Sequence, residues 1–143
     1  MTNPRDRGAP TVALDDEEVA AIRRRLVGKQ FYLCLTERVN RDGDPDADLK
    51  PQMRAHFEWL IAREREGVLF AAGPHRDRAD PAFWQGDGMI ILRAESREAA
   101  AAIAATCPFH RAGIRNFRII PWLMNEGCFQ VTLRYASGSI EIG

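Results

Sequence analysis

The segment Leu49–Pro74, LKPQMRAHFEWLIAREREGVLFAAGP, decides the fold because helix, stop and strand signals follow one another in it. At about 100° per residue, Met53, Phe57, Leu60 and Ile61 fall into one stripe, and Arg54, Glu58, Arg65 and Glu66 fall opposite. That is the pattern of an amphipathic helix. Asp48 is expected to cap it, with Pro51 in the first turn. Gly67 offers the left-handed stop a helix often needs. Val68–Ala72 reads as a short strand, closed by Gly73 and Pro74. His56 projects at the edge of the stripe, between Leu60 and Trp59. It is a candidate acid/base group, because an imidazole changes charge near neutral pH. The alternative is a core-edge histidine satisfied by one hydrogen bond.

Before this segment, Asp15 or Asp16 caps an expected helix to about Val27, with Glu17 and Glu18 early and Arg23–Arg25 late, which suits the helix dipole. Gln30–Thr36 reads as a strand with apolar residues on both faces, so both faces should be covered. Glu37–Asp48 reads as a mobile acidic loop. Counted from Asp42, the places where a calcium loop needs Gly and Glu hold Ala47 and Met53, so calcium is excluded.

After the segment, His75–Gly86 is longer than a hairpin requires, and its Arg76, Arg78, Phe83 and Trp84 could lid a pocket. Asp87–Arg93 is the next expected strand. Ser96 caps an alanine-rich helix, Arg97–Thr106, which Cys107-Pro108 ends. Arg115–Trp122 alternates Phe117 and Ile119 against Arg118 and Ile120. Phe129, Val131, Leu133 and Tyr135 suggest a half-buried strand of a terminal hairpin.

Strand, helix, strand, strand, helix, strand is the split βαβ pattern of an α+β, ferredoxin-like fold, with an antiparallel sheet and two helices on one face. The other face would then expose a large apolar patch. A second copy packed sheet to sheet is the simplest cover, so a homodimer is expected. The expected organisation is a disordered 1–12, a helical extension 13–28, the ferredoxin-like domain 29–127 and a hairpin extension 128–143.

Lys plus Arg and Asp plus Glu number 20 each, which gives no push toward nucleic acid. The longest apolar run falls well short of a bilayer span, and no secretory pattern opens the chain. Three widely spaced cysteines suit reduced thiols, so a cytoplasmic location is expected. Cys107 and His110 could form half a metal site, but no second pair completes it. No phosphate loop or serine-hydrolase elbow occurs, and neither a metal nor a cofactor is expected.

The chain resembles the YciI-like (YCII-related) family. The likeness rests on His56 in a helix, then Gly67-Val68-Leu69-Phe70-Ala71-Ala72-Gly73-Pro74, then Ser96–Thr106, Cys107-Pro108-Phe109-His110, Ile120-Pro121-Trp122 and Asn125-Glu126-Gly127. It implies a dimeric α+β barrel with a pocket between helix and sheet that holds a His and an Asp. Some members are linked to dechlorination or breakdown of ring compounds. The family histidine maps onto His56. The family aspartate, part of an Asp-Pro-Phe step, maps onto Cys107.

A carboxylate would fix the imidazole tautomer and steady the imidazolium; a thiol is a weaker partner. Cys107 is expected at a helix C-terminus, where the dipole disfavours a thiolate, so a Cys–His nucleophilic pair is the lesser alternative. Cys34 and Cys128 read as small apolar fillers, and His75 and His110 as surface loop residues. The expectation is a cofactor-independent lyase- or isomerase-type enzyme acting on a small cyclic or phenolic compound. His56 would be its acid/base, Cys107 would stand at the aspartate position, and Arg76, Arg78, Trp84 and Phe109 would bind the ligand. The rival is a non-catalytic dimeric module that binds a small ligand.

Overall fold

The computed structural model describes residues 12–76 and 84–142. These separate into two compact units, one of the described residues within Lys29–Met124 and a smaller one of those within Met1–Gly28 and Asn125–Gly143. In the smaller unit, α1 (Asp16–Arg24) starts with a capping box, Asp15 and Glu18 exchanging side-chain and backbone bonds at 2.8 and 2.9 Å. The strands β5 (Val131–Arg134) and β6 (Ser139–Ile142) pair antiparallel. The hairpin is exposed rather than half-buried: Val131 and Leu133 are each more than half exposed. Its alternation is real, but neither face is covered.

The larger unit runs β1 (Lys29–Arg38), α2 (Pro45–Arg65), β2 (Leu69–Pro74), β3 (Gly88–Leu92), α3 (Arg97–Ala105), α4 (Pro108–Arg111) and β4 (Arg115–Met124). Its sheet order is β2-β3-β1-β4, antiparallel throughout, the ferredoxin-like arrangement. Tyr32, Cys34, Ile90, Leu92 and Ile119 point to the helix side and form the core with Leu49, Trp59, Ala100, Ala104, Cys107 and Phe109. The alanines of α3 let it approach the sheet closely. On the opposite face Phe31 packs on Phe70 and Trp122, at 4.4 and 6.0 Å between ring centroids. Phe70 sits in the bulge where the β2–β3 register shifts.

The acidic loop is shorter than expected, and α2 is longer. Asp44, not Asp48, is the cap, accepting from the Asp46 N–H at 3.0 Å, and Pro45 occupies the first turn. Pro51 therefore lies inside the helix. The buried face of α2 is also rotated from the expected stripe. Leu49, His56 and Trp59 are buried, while Phe57 and Ile61 are about half exposed. His56 is thus at the centre of the packed face, not on its edge.

Candidate functional site

Parity along the strands decides what reaches the site. Thr36 and Arg38 continue the inward register of Tyr32 and Cys34 on β1, and Arg115 continues that of Ile119 and Phe117 on β4. Both arginines are therefore buried, Arg38 at 1% exposure and Arg115 at 7%. Sequence reasoning passed over them: the alternation of Phe117 and Ile119 reaches Arg115, but Arg38 lies beyond the expected end of its strand at Thr36.

Arg38 braces the loop before β3. Its Nε donates to Gln85 O at 2.8 Å, and its Nη1 to Asp42 O at 3.2 Å and to the Asp48 carboxylate at 2.5 Å. Its backbone N–H donates to Asp87 Oδ1, which Arg41 also pairs with. Gly86 has a φ of +89°, and a Cβ there would meet Arg38 Cδ at 2.8 Å, so only glycine fits. Gly86 O in turn accepts from Arg115 Nε at 2.7 Å, and Trp84 Nε1 donates to Asp87 O at 2.7 Å. Asp48, expected as a helix cap, is instead the counter-ion of this brace.

Between α2 and the sheet lies a pocket of about 400 Å³. Met53, Leu60, Ile90 and Phe109 give it apolar walls, and Phe57 and Pro74 also line it. Its polar groups are Thr36, His56, Arg76, Trp84 and Arg115. His56 Nδ1 lies 3.4 Å from Cys107 Sγ, and its ring stacks on Phe109 at 4.2 Å. The Arg115 guanidinium covers the Phe109 ring at 4.7 Å and the Trp84 ring at 5.7 Å. Of the residues singled out from sequence, His56, Cys107, Arg76, Trp84 and Phe109 are therefore at or beside this pocket. Arg78 and Phe83 lie outside the described residues.

Two expectations need correcting here. Cys107 is the N-cap of α4, immediately after the cap of α3. Burial pushes its thiol up, and the amides of Phe109 and His110 and the Arg115 guanidinium oppose that. Cys107 thus follows the end of α3, as expected, and also starts α4, and desolvation is the largest influence that keeps its thiol neutral. His110 is not a loop residue: it belongs to α4, its Nδ1 lies 2.6 Å from Ala104 O, and its ring packs on Phe117. Of the two supposed filler cysteines, Cys34 is buried and its thiol is pushed up to about 12 by burial; Cys128 is exposed. No group of three or more His, Cys, Asp and Glu side chains among the described residues could hold a metal.

His56 is lowered to about 4, first by burial and then by the positive Arg115 and by His110. The unfolded chain takes up this proton near 6.5, the folded chain only near 4. Between those values the unfolded state binds more protons, so stability falls as pH drops through the window. The full effect is about 3 kcal/mol. Urea unfolding at pH 7 and near pH 4 is expected to show this loss, and His56→Asn to remove most of it.

A four-stranded antiparallel sheet with helices on one face and a pocket under the first of them defines a ferredoxin-like α+β protein. The chain belongs to the YCII-related domain family, whose model matches residues 30–123. Among solved structures it is similar to 5-chloro-2-hydroxyhydroquinone dehydrochlorinase (TftG) from Burkholderia phenoliruptrix AC1100, in complex with 2,5-dihydroxybenzoquinone. The two share 20% identity over 63% of this chain and 92% of that one, with a TM-score of 0.50. At that identity the likeness speaks for the fold. No curated protein matches the chain. No helix among the described residues is long and apolar enough to cross a membrane.

Proposed function

We propose that the protein is a cofactor-independent enzyme of the lyase or isomerase kind, which moves a proton on a small cyclic or phenolic compound with His56 as acid/base. The observation that carries this reading is the placement of His56 in the pocket with Nδ1 held by Cys107 and the ring stacked on Phe109. That leaves Nε2 for a ligand. A mostly apolar site of this volume suits one ring, and the similar dehydrochlorinase acts on a compound of that class. Arg76 and Trp84 line the pocket; Arg78, expected to join them, lies outside the described residues.

Nε2 is basic only when Nδ1 carries the ring proton and donates it to the partner. A carboxylate would favour that tautomer strongly; the neutral Cys107 thiol, which can donate to Nδ1 as well as accept from it, does not fix it. This one observation supports the second reading, a module that binds a ring compound without turning it over. Incubation with 5-chloro-2-hydroxyhydroquinone and with 2,5-dihydroxybenzoquinone, followed by chloride release and ring absorbance, separates the two. The enzymatic reading expects catalytic turnover of at least one, and Cys107→Asp to raise its rate about tenfold or more while His56 titrates nearer its ordinary range. Saturable binding with no turnover in either form would leave the binding module.

The protein is further proposed to act as a homodimer through the sheet face opposite the helices. Phe70 and Trp122 there are each more than a third exposed, flanking Phe31. Light scattering with size exclusion is expected to give twice the 16.1 kDa chain mass, and Trp122→Glu to give the monomer.

A further inference from the structure

We infer that Arg115 and Thr36 form an oxyanion site in this pocket, which selects planar ring compounds bound through a negatively charged oxygen. The inference rests on the pocket being a ligand site and goes beyond the role of His56.

Arg115 brings a positive charge into a largely apolar cleft and makes no salt bridge to a carboxylate of the described residues, Asp87 acting on it only at longer range. Its Nε is used by Gly86 O, and its face by Trp84 and Phe109, which fixes the plane of the guanidinium. Its Nη groups have no hydrogen-bond partner among the described residues. These groups are not fully enclosed, so an anion entering the pocket can reach them. The Thr36 hydroxyl is enclosed and is the donor whose burial calls for a partner. Thr36 is 1% exposed, lines the pocket, and its Oγ1 has no hydrogen-bond partner.

The charge balance of the lining points the same way. Arg76 and Arg115 line the pocket, and no Asp or Glu among the described residues does. Arg115 also depresses the proton affinity of His56. An anion seated on Arg115 offsets that contribution, while the larger lowering from burial remains. When His56 takes a proton from a ring hydroxyl, the charge left on oxygen develops beside a guanidinium whose orientation is already set.

The test uses two matched pairs of probes, measured by calorimetry at about pH 8.5, where His56 is neutral in every form. One pair is 4-nitrophenolate and 4-nitroanisole, a ring-borne oxyanion and its neutral ether. The other is benzoate and benzamide, which present a carboxylate and its neutral isostere. At least one anion is expected to bind about ten- to a hundredfold tighter than its neutral partner, and the pair that discriminates identifies the source of the oxyanion. Arg115→Gln is expected to abolish the discrimination, and Thr36→Val to weaken it several-fold; Thr36→Val keeps the shape of the side chain and decides the matter if Arg115→Gln fails to fold. Equal binding of anion and neutral partner, or discrimination that survives both substitutions, would overturn the oxyanion site while leaving the pocket as a ring-binding site. Absence of binding by all four probes would overturn the site and the reading of the pocket together.

Discussion

His56→Gln is expected to lower kcat/KM on a turned-over hydroxyquinone or chlorinated hydroquinone by about 10²–10⁴, with most of the loss in kcat. Glutamine approximates the length of the imidazole and puts a polar atom near the place of Nε2, so the pocket should still close around a ligand. It cannot take up a proton. A loss confined to KM would mean that the imidazole only binds, and an unchanged kcat would remove it from the chemistry. The structure makes this a sharp test because the ring is fixed on two sides, by Cys107 at 3.4 Å and by the Phe109 stack at 4.2 Å. The pH dependence carries a second signature. With His56 lowered to about 4, the base is already unprotonated at neutral pH. The acidic limb of the rate profile is therefore expected well below the 6 to 7 usual for a catalytic histidine.

Asp48→Ala is expected to destabilise the fold by about 3 kcal/mol, lowering the melting temperature by roughly 10 °C. Asp48 is about one-third exposed, but its partner is not: the Arg38 side chain has no solvent exposure. Removing the carboxylate leaves a guanidinium buried with only carbonyl partners, Gln85 O and Asp42 O. The lower end of the range for a broken buried pair applies because water can reach the vacated position. The effect should extend to the pocket. Arg38 holds Gln85, the neighbouring Gly86 O orients Arg115, and Asp87 O holds Trp84. Calorimetric melting and ring-probe affinity should therefore fall together. A stable variant with a weakened pocket would confine Asp48 to positioning the loop.

The order of elements was legible because each rests on short-range signals: alternation in β1 and β4, Ser96 before α3, and Gly67 after α2. Gly67 does adopt a φ of +73°. The start of α2 was misplaced because Asp44-Pro45 and Asp48 each satisfy local capping rules, and a tertiary partner, Arg38, claims Asp48. The same tertiary effect rotated the buried face of α2. Phe57 and Ile61 fit an apolar stripe by periodicity, yet the sheet and α4 receive Leu49, His56 and Trp59 instead. In the site, His56 and Cys107 could be paired from sequence only through the family resemblance, since 51 positions separate them and no local pattern spans that gap. Arg115 and Thr36 were hidden for another reason. Charged and hydroxyl residues at inward positions look like strand ends, until burial shows that they are enclosed.

The most direct test of the account follows the His56 ring itself. Long-range proton–nitrogen correlation of ¹⁵N-histidine-labelled protein, recorded while 4-nitrophenolate or 2,5-dihydroxybenzoquinone is added, reports each ring nitrogen. The expected result is a large, saturable shift at His56 Nε2, and none at the exposed His75. Saturable binding by calorimetry while both His56 nitrogens stay unchanged would contradict the placement of the functional site in this pocket.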